Sequence, residues 1–522
     1  MTRVWRFFTS TLLTWALVAP SAWSDNLGSE PPLWFDLGRP TAQAQQAITL
    51  LSNATTEGLE PAHYHATGLS QAVTQALRGP PLGLERQQSL DDALTRAMTQ
   101  YLADLRIGRV NPRQVRANYD NPDPRNADTT VMLRAAVAAH RLTEVVAQLA
   151  AEPPLAAALR QALAQYLTLS NHPAWQIALP ALPGRKLLAN QPYAGLPLLV
   201  QRLQALGDLA PDFAVPALLE GELKDALMRF QTRHGLSADG VLGSSTWKQL
   251  NVSPDQRAEQ IALSLERLRW TPLRQASRMV VVNVPEFVLR GYEVRNGKID
   301  IKLTMKVIVG KALNTRTPLF DEDMRFIEFS PYWNIPPSIA RSETIPHLRA
   351  DAAYLTRQGM EFVTSSGQVI NQVAPEYLDA VLSGSWRIRQ RPGPKNALGD
   401  IKFIFPNNDN IYLHHTPSPG LFERDRRDLS HGCVRLEDPV ALAKFVLQDD
   451  PNWTEARIRE LMTAGQSKTL RLQQPLTVLL AYSTVVVKDG QVFFYPDVYD
   501  LDPMLAKALR QRALTLAPLP SP

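Results

Sequence analysis

KIDIKLTMKVIV, residues 298–309, sets Ile299, Ile301, Leu303, Met305, Val307 and Val309 at every second position. Strand side chains alternate between two faces, so this period reads as a half-buried β-strand. Upstream, Met279-Val280-Val281-Val282 begins another β run, and Asn296-Gly297 between the two is a strong hairpin turn. Strands are expected again at Lys402 to Phe405 and Asn410 to His415, across a Pro-Asn-Asn-Asp turn. A last β segment spans 477–495, with Asp489-Gly490 as its turn. Between these, 338–395 loses the alternation and mixes helix-like pieces with Gly, Pro and Arg, as an insertion capping the sheet would. Asp438-Pro439 is an N-cap with Pro at the first helical position. The unit from 265 to 505 is therefore β-rich, with 506–522 as a tail.

Toward the N-terminus the period changes to that of helices. Residues 25–190 read as a helical scaffold, for example on the face Leu94, Met98, Tyr101, Leu102, Leu105. Breaks fall at Gly79-Pro80-Pro81, Asn121-Pro122-Asp123-Pro124 and Pro153-Pro154. His63 and His65 lie close together but have no third ligand in view, so no metal is expected. A small module at 193–252 has one helix on Leu198, Leu199, Leu203 and Leu206, ending at Gly207. A second helix, about Leu218 to His234, ends at Gly235, and a short third one follows from Ser245. The fold class expected is multidomain α+β.

Composition excludes several classes. With 45% hydrophobic and 20% charged residues the chain is neither disordered nor collagen-like. A net charge of +5 over 522 residues is too small and scattered for nucleic acid. Residues 1–24 have basic Arg3 and Arg6, an apolar run from Phe7 to Ala19, and a small-x-small site at Ala22-Trp23-Ser24. That layout is expected of a cleaved secretory signal peptide, leaving no membrane attachment once removed. An exported chain usually pairs its cysteines, yet Cys433 stands alone.

Ser430-His431-Gly432-Cys433-Val434-Arg435 surrounds that thiol. A thiol near neutral pH needs a lowered pKa or an adjacent base to act as a nucleophile. Gly432 leaves room for a turn whose N–H groups, those of Gly432 and Cys433, face a developing oxyanion. Three histidines are near in sequence. Strand period puts Ile411, Leu413 and His415 on one face, the apolar one, and Tyr412 and His414 on the other. His414 is thus the expected base, on an accessible face. Arg435 has the fork for a carboxylate, or else pairs with Glu437 or Asp438. Trp333 lines the site or simply packs.

LLVQRLQALGDL … LKDALMRFQTRHGLSADGVLGSSTWKQL, within 193–252, resembles the peptidoglycan-binding domain type 1 family. His414, eighteen residues, then SHGCVR at 430–435 resembles the signature of the YkuD-fold L,D-transpeptidases. SPYWNIPPSIARSE (330–343), YSTVVVKDGQVFFYPDVYDLD (482–502) and the helical N-terminal block resemble the large YcbB-type members. The resemblance implies a periplasmic enzyme that cross-links peptidoglycan 3→3 between diaminopimelate residues through a Cys433 thioester, releasing D-Ala. Tyr412, His431, Ser430 and Arg435 would bind the stem peptide, with no metal or organic cofactor. Implied partners are peptidoglycan stem peptides and glycan, with cell-wall synthases as candidates. One residue departs from the family pattern: His415 stands where a smaller or acidic side chain is expected, which leaves the orientation of His414 open. An L,D-carboxypeptidase, attachment of a protein lysine to the wall, and a non-catalytic wall-binding scaffold are the other readings.

Overall fold

The computed structural model describes residues 31–119, 127–151, 155–188, 190–271, 273, 277–295, 298–313 and 315–515. The expected signal peptide, the Asn121–Pro124 and Pro153-Pro154 breaks and the Asn296-Gly297 turn lie outside the described residues.

The fold is multidomain, with helical N-terminal parts and a β-rich C-terminal part. In the scaffold, the helix Leu84–Ile107 buries the face expected from its sequence. The small module has three helices, Leu196–Ala205, Gly221–Arg233 and Ser244–Leu250. Its motif residues serve the fold. The Gln231 amide donates to Asp239 Oδ1 (2.9 Å) and the Val241 carbonyl (3.0 Å), and its oxygen accepts from the Gly240 N–H (2.9 Å). The turn after the second helix is thereby pinned to it. The module's core reaches back past residue 190 to Leu179 and Leu187. Buried Arg202 explains this, because its guanidinium donates to the carbonyls of Ala174, Ile177 and Leu250. The boundary expected at 190 therefore moves toward the N-terminus.

In the C-terminal part the strand pairing closes on itself. Lys298–Gly310 pairs with Val288–Arg295, then follow Arg278–Asn283, Lys468–Ala481 and Leu319–Phe329. Ile401–Ile404 pairs with Leu319–Phe329 on one side and Leu413–His414 on the other. Val434–Leu436 completes the circuit between Leu413–His414 and Lys298–Gly310. Closure leaves few free edges, and the inward residues form the core. Met305, Val307 and Val309 are buried as their period predicts, whereas Ile301 is 50% exposed. It lies beyond a register shift at Gly291/Tyr292, in the outer part of the hairpin. The strand expected from 477 starts at Lys468, with a second register shift between Arg471 and Leu476. Pro475 sits inside that shift, where a missing N–H costs no ladder bond, and it hides the strand period.

Among the described residues, four of the contacts that weld the parts together stand out. Ala117–Asn118 adds as a parallel strand to Leu319-Phe320, and His234 stacks on Phe230 of its own helix and Phe494 of the C-terminal hairpin. Residues 506–515 are no tail, since the helix Asp502–Thr515 buries Leu505, Ala506 and Leu509 and Arg512 binds Asp104 (2.7 Å). The fourth contact is Glu266, wholly buried in the helix Pro254–Arg269, which also crosses the boundary expected at 265. Its carboxylate accepts from the Arg109 and Val110 N–H groups and from the Arg109 and Arg269 side chains. Glu266→Ala leaves the buried Arg109 guanidinium with only the more distant Glu60, 4.0 Å away, as a counterion. The expected loss is about 3–5 kcal/mol of unfolding free energy. Urea unfolding checks it, and a loss below about 1 kcal/mol would mean the network contributes little.

The 338–395 insertion is more than loop. It has its own core around Ile345, Leu348, Phe362, Leu378 and Ile388. Its four-stranded sheet runs Trp333–Asn334, Arg387–Gln390, Met360–Val363, Val369–Ile370, so it begins before 338.

Candidate active site

Leu413–His414 and Val434–Leu436 lie parallel, with Leu413 across from Val434 and His414 across from Arg435. Leu413 and Val434 are both fully buried in the barrel core. Strand alternation then sends Tyr412, His414, Cys433 and Arg435 to the other face. There they line a cavity of about 850 Å³ that runs under the cap, whose wall includes Trp333, Pro336, Glu343 and Trp386.

The turn before Cys433 is held from within. Gly432 sits at φ +120°, a conformation that favours glycine, and its carbonyl accepts from the Thr317 hydroxyl (2.7 Å). The Ser430 hydroxyl donates to the Cys433 carbonyl (2.6 Å) and accepts from the Gly432 N–H (3.1 Å). Gly310 lets the Thr315–Thr317 segment approach, for a Cβ there would lie 1.9 Å from the Thr315 carbonyl oxygen. Two expectations change as a result. The Gly432 N–H is already taken, so it is not free for an oxyanion, and Ser430, although at the cavity wall, is bound up in shaping the turn. His431 also has a partner, Glu343 of the cap, at 2.7 Å from its Nε2.

His414 is less accessible than its strand face suggests, being only 4% exposed. Its Nδ1 lies 2.5 Å from the His415 carbonyl, which can only accept, so the proton is on Nδ1 and the Nε2 lone pair is free of it. Burial, reinforced by the Arg435 charge, lowers its pKa to about 3. The ring is therefore neutral across the physiological range, its unprotonated nitrogen left as an acceptor. The departure at His415 settles on geometry: its backbone orients His414, while its own ring turns to Asp400 (2.7 Å).

The Cys433 thiol is half-buried, 3.7 Å from the Asn410 carbonyl. Burial pushes its pKa up, while Tyr412, Lys402 and Arg435 pull it down. A thiol held protonated needs a neighbouring base, which fits a neutral imidazole. Arg435 has a buried Nε with no hydrogen-bond partner, and burial lowers its pKa. It makes no pair with Glu437, which binds the Lys306 N–H (3.0 Å), nor with Asp438, which caps the Ala441 N–H (2.9 Å). Tyr412 meets the His414 ring edge-on at 5.6 Å. Trp333 both lines the cavity and packs against the cap core. Among the described residues no group of three His, Cys, Asp or Glu side chains could hold a metal.

Sequence reading missed Lys402. Its signal was present, since Ile401, Phe403 and Phe405 are the apolar face of IKFIF and Lys402 falls on the opposite one. Which residues it would meet there depended on strand pairing, and pairing is not written in one strand's period.

Residues 277–457 match the family described as "L,D-transpeptidase catalytic domain" (YkuD), 28–163 match "Scaffold domain", and 194–250 match "Putative peptidoglycan binding domain". A "Putative L,D-transpeptidase" of Haemophilus influenzae is 31% identical over 257 residues, 49% of this chain and 50% of that one. The chain thus spans about half the length of that curated relative. Epoxide hydrolase 1 of Sus scrofa is 25% identical over 96 residues, covering 18% of this chain and 21% of the hydrolase. A crystal structure of a fused Zn-dependent amidase/peptidase/peptidoglycan-binding domain-containing protein of Clostridium acetobutylicum is similar at 13% identity. It covers 56% of this chain and 97% of its own, with a TM-score of 0.18.

Proposed function

From a chain that carries a YkuD L,D-transpeptidase catalytic domain and a peptidoglycan-binding type 1 domain, we infer a peptidoglycan cross-linking enzyme that works by cysteine acyl transfer. The observation that carries this reading is that Cys433 and a neutral, backbone-oriented His414 line the wall of one cavity. His414 Nε2 takes the thiol proton as Sγ attacks the carbonyl of the diaminopimelate L-centre in a tetrapeptide stem. The C–N bond to D-Ala breaks, His414 returns the proton to the leaving amine, and a thioester remains. The side-chain amine of a second stem's diaminopimelate then attacks the thioester, the C–S bond breaks, the amine's proton passes by way of His414 to the departing Cys433 sulfur, and a 3→3 cross-link forms. With the Gly432 N–H engaged, the Cys433 N–H is the backbone donor left for the oxyanion. Arg435, whose Nε lacks a partner, suits a stem carboxylate. Tyr412 walls the pocket beside it.

The compartment proposed is the periplasm, reached by the 1–24 leader, with stem peptides and glycan as partners and cell-wall synthases as candidates. Among the described residues no helix is long and apolar enough to cross a membrane.

Mass spectrometry of the protein incubated with disaccharide-tetrapeptide tests this. The expected product is a dimer that has lost one D-Ala and carries a 3→3 bond. Tripeptide without dimer would replace the transpeptidase by a carboxypeptidase, and an unchanged substrate with an unreactive thiol would leave a wall-binding scaffold.

The cap is proposed to move as a body, because it has a separate core and meets the catalytic loop through His431–Glu343. Hydrogen exchange should show residues 338–395 opening faster than the barrel strands, and slowing when substrate binds. Uniformly strong protection in both states would count against it.

A further inference from the structure

Besides Arg435, the face that bears Cys433 holds a second cation, which the reaction above leaves unused. Lys402 lies on Ile401–Ile404, directly across from His414 on one side and Glu328 on the other. Ile401 and Phe403 are fully buried in the barrel, so alternation turns Lys402 into the catalytic cavity, whose wall it joins. Its ammonium sits 4.1 Å from the centroid of the Tyr412 ring. Tyr412 is in turn the neighbour of the nucleophile: its carbonyl accepts from the Val434 N–H (3.1 Å), which sets Tyr412 across from Cys433 on the parallel strand. Glu328, the acid whose charge reaches Lys402, also accepts from the Ser467 hydroxyl (3.0 Å). A cation held on a ring face is restrained in place, and in a half-buried cavity its field is screened less than at a surface.

We propose that Lys402 is a positioning residue for the nucleophile, one that promotes the Cys433 thiolate from across the Tyr412 ring without touching the substrate. This rests on Cys433 being the acylated residue. Arg435, with its unsatisfied Nε, is the cation left to take a carboxylate; Lys402, pinned to the ring, serves the thiol. The shift found for Cys433 agrees, since Lys402 and Arg435 both oppose the effect of burial. The other charged or titratable groups lining the cavity are Tyr412, His414 and Arg435 beside the thiol, Asp409 in the turn, and Tyr332, Glu343, His431 and Arg387 along the wall.

The chain has one cysteine, so alkylation reports on Cys433 alone. The test is the rate of alkylation of the full-length protein by iodoacetamide, a neutral probe, from about pH 5 to about pH 10. Lys402→Met should raise the apparent thiol pKa by about one unit, slowing alkylation about tenfold at neutral pH. Lys402→Arg should keep the wild-type profile. With stem-peptide substrate, Lys402→Met should lower kcat and leave KM in place. A Lys402→Met profile identical to wild type overturns the proposal, and a raised KM with that unchanged profile would assign Lys402 to substrate binding instead. If the Met variant loses its near-UV circular dichroism, Lys402→Gln takes its place under the same criteria. Failure of the transpeptidase reading is seen separately, as wild-type protein that makes no cross-link.

Discussion

Cys433→Ala is expected to abolish cross-linking, with a loss of at least about 10⁴-fold, while unfolding and circular dichroism stay those of the wild type. The loss is large because no other thiol exists in the chain and the acyl group has no alternative carrier. The fold should survive because the turn around Cys433 is held by the Ser430 hydroxyl, the Thr317 hydroxyl and the Gly432 backbone, none of which uses the sulfur. The thiol's own contact, to the Asn410 carbonyl at 3.7 Å, is weak. The check is product analysis under conditions where the wild type turns over many times. Residual cross-linking above about one part in a thousand would move the nucleophile elsewhere. Ser430→Ala makes a useful contrast, since it should disturb the turn and lower thermal stability as well as rate.

His414→Gln is expected to slow formation of the acyl-enzyme by about 10²–10⁴-fold, the range of a lost general base. Gln can still donate to the His415 carbonyl but cannot accept the thiol proton. The effect also has a pH signature. In the folded protein His414 has a pKa lowered to about 3, against 6.5 for an unperturbed histidine. Between those values the unfolded chain binds a proton that the folded one refuses, so stability falls as the pH drops from about 6.5 toward 3. Gln removes that term. The acid loss of stability should therefore be shallower in the variant by up to about 1.4 kcal/mol per pH unit within that window. For the same reason the acid limb of wild-type kcat/KM should not centre on pH 6.5, because the base stays deprotonated well below it. Equal pH slopes of stability in the two proteins, or an acid limb at 6.5 that vanishes in the variant, would mean His414 is not the buried neutral base described.

Much of the site was legible in the chain. The strand period singled out His414 and Tyr412 as sharing a face, and it chose His414 over His415 from the apolar neighbours Ile411 and Leu413 alone. The lone Cys433 beside Gly432 marked the thiol proposed as nucleophile. What failed were statements about hydrogen bonds. The Gly432 N–H was placed on the oxyanion, and the partners of Ser430 and His431 went unseen, because nothing in the string Ser-His-Gly-Cys says that the hydroxyl folds back on the turn or that Glu343 arrives from the cap.

By itself, then, the sequence determined local things: the strongly periodic helices and strands, which residues share a face, and where several turns and caps fall. These follow from periods of two and 3.6 residues and from the steric and capping preferences of Gly, Pro and Asp, all acting within a few residues. Only the tertiary structure decided which faces meet. Lys402 lies across from His414, Glu266 locks Arg109 from far along the chain, and Ala117–Asn118 joins a sheet whose other strands all come after residue 277. Those pairings arise from closing the barrel and burying the helix between scaffold and sheet. That burial is cooperative over the whole molecule, so no single segment encodes it.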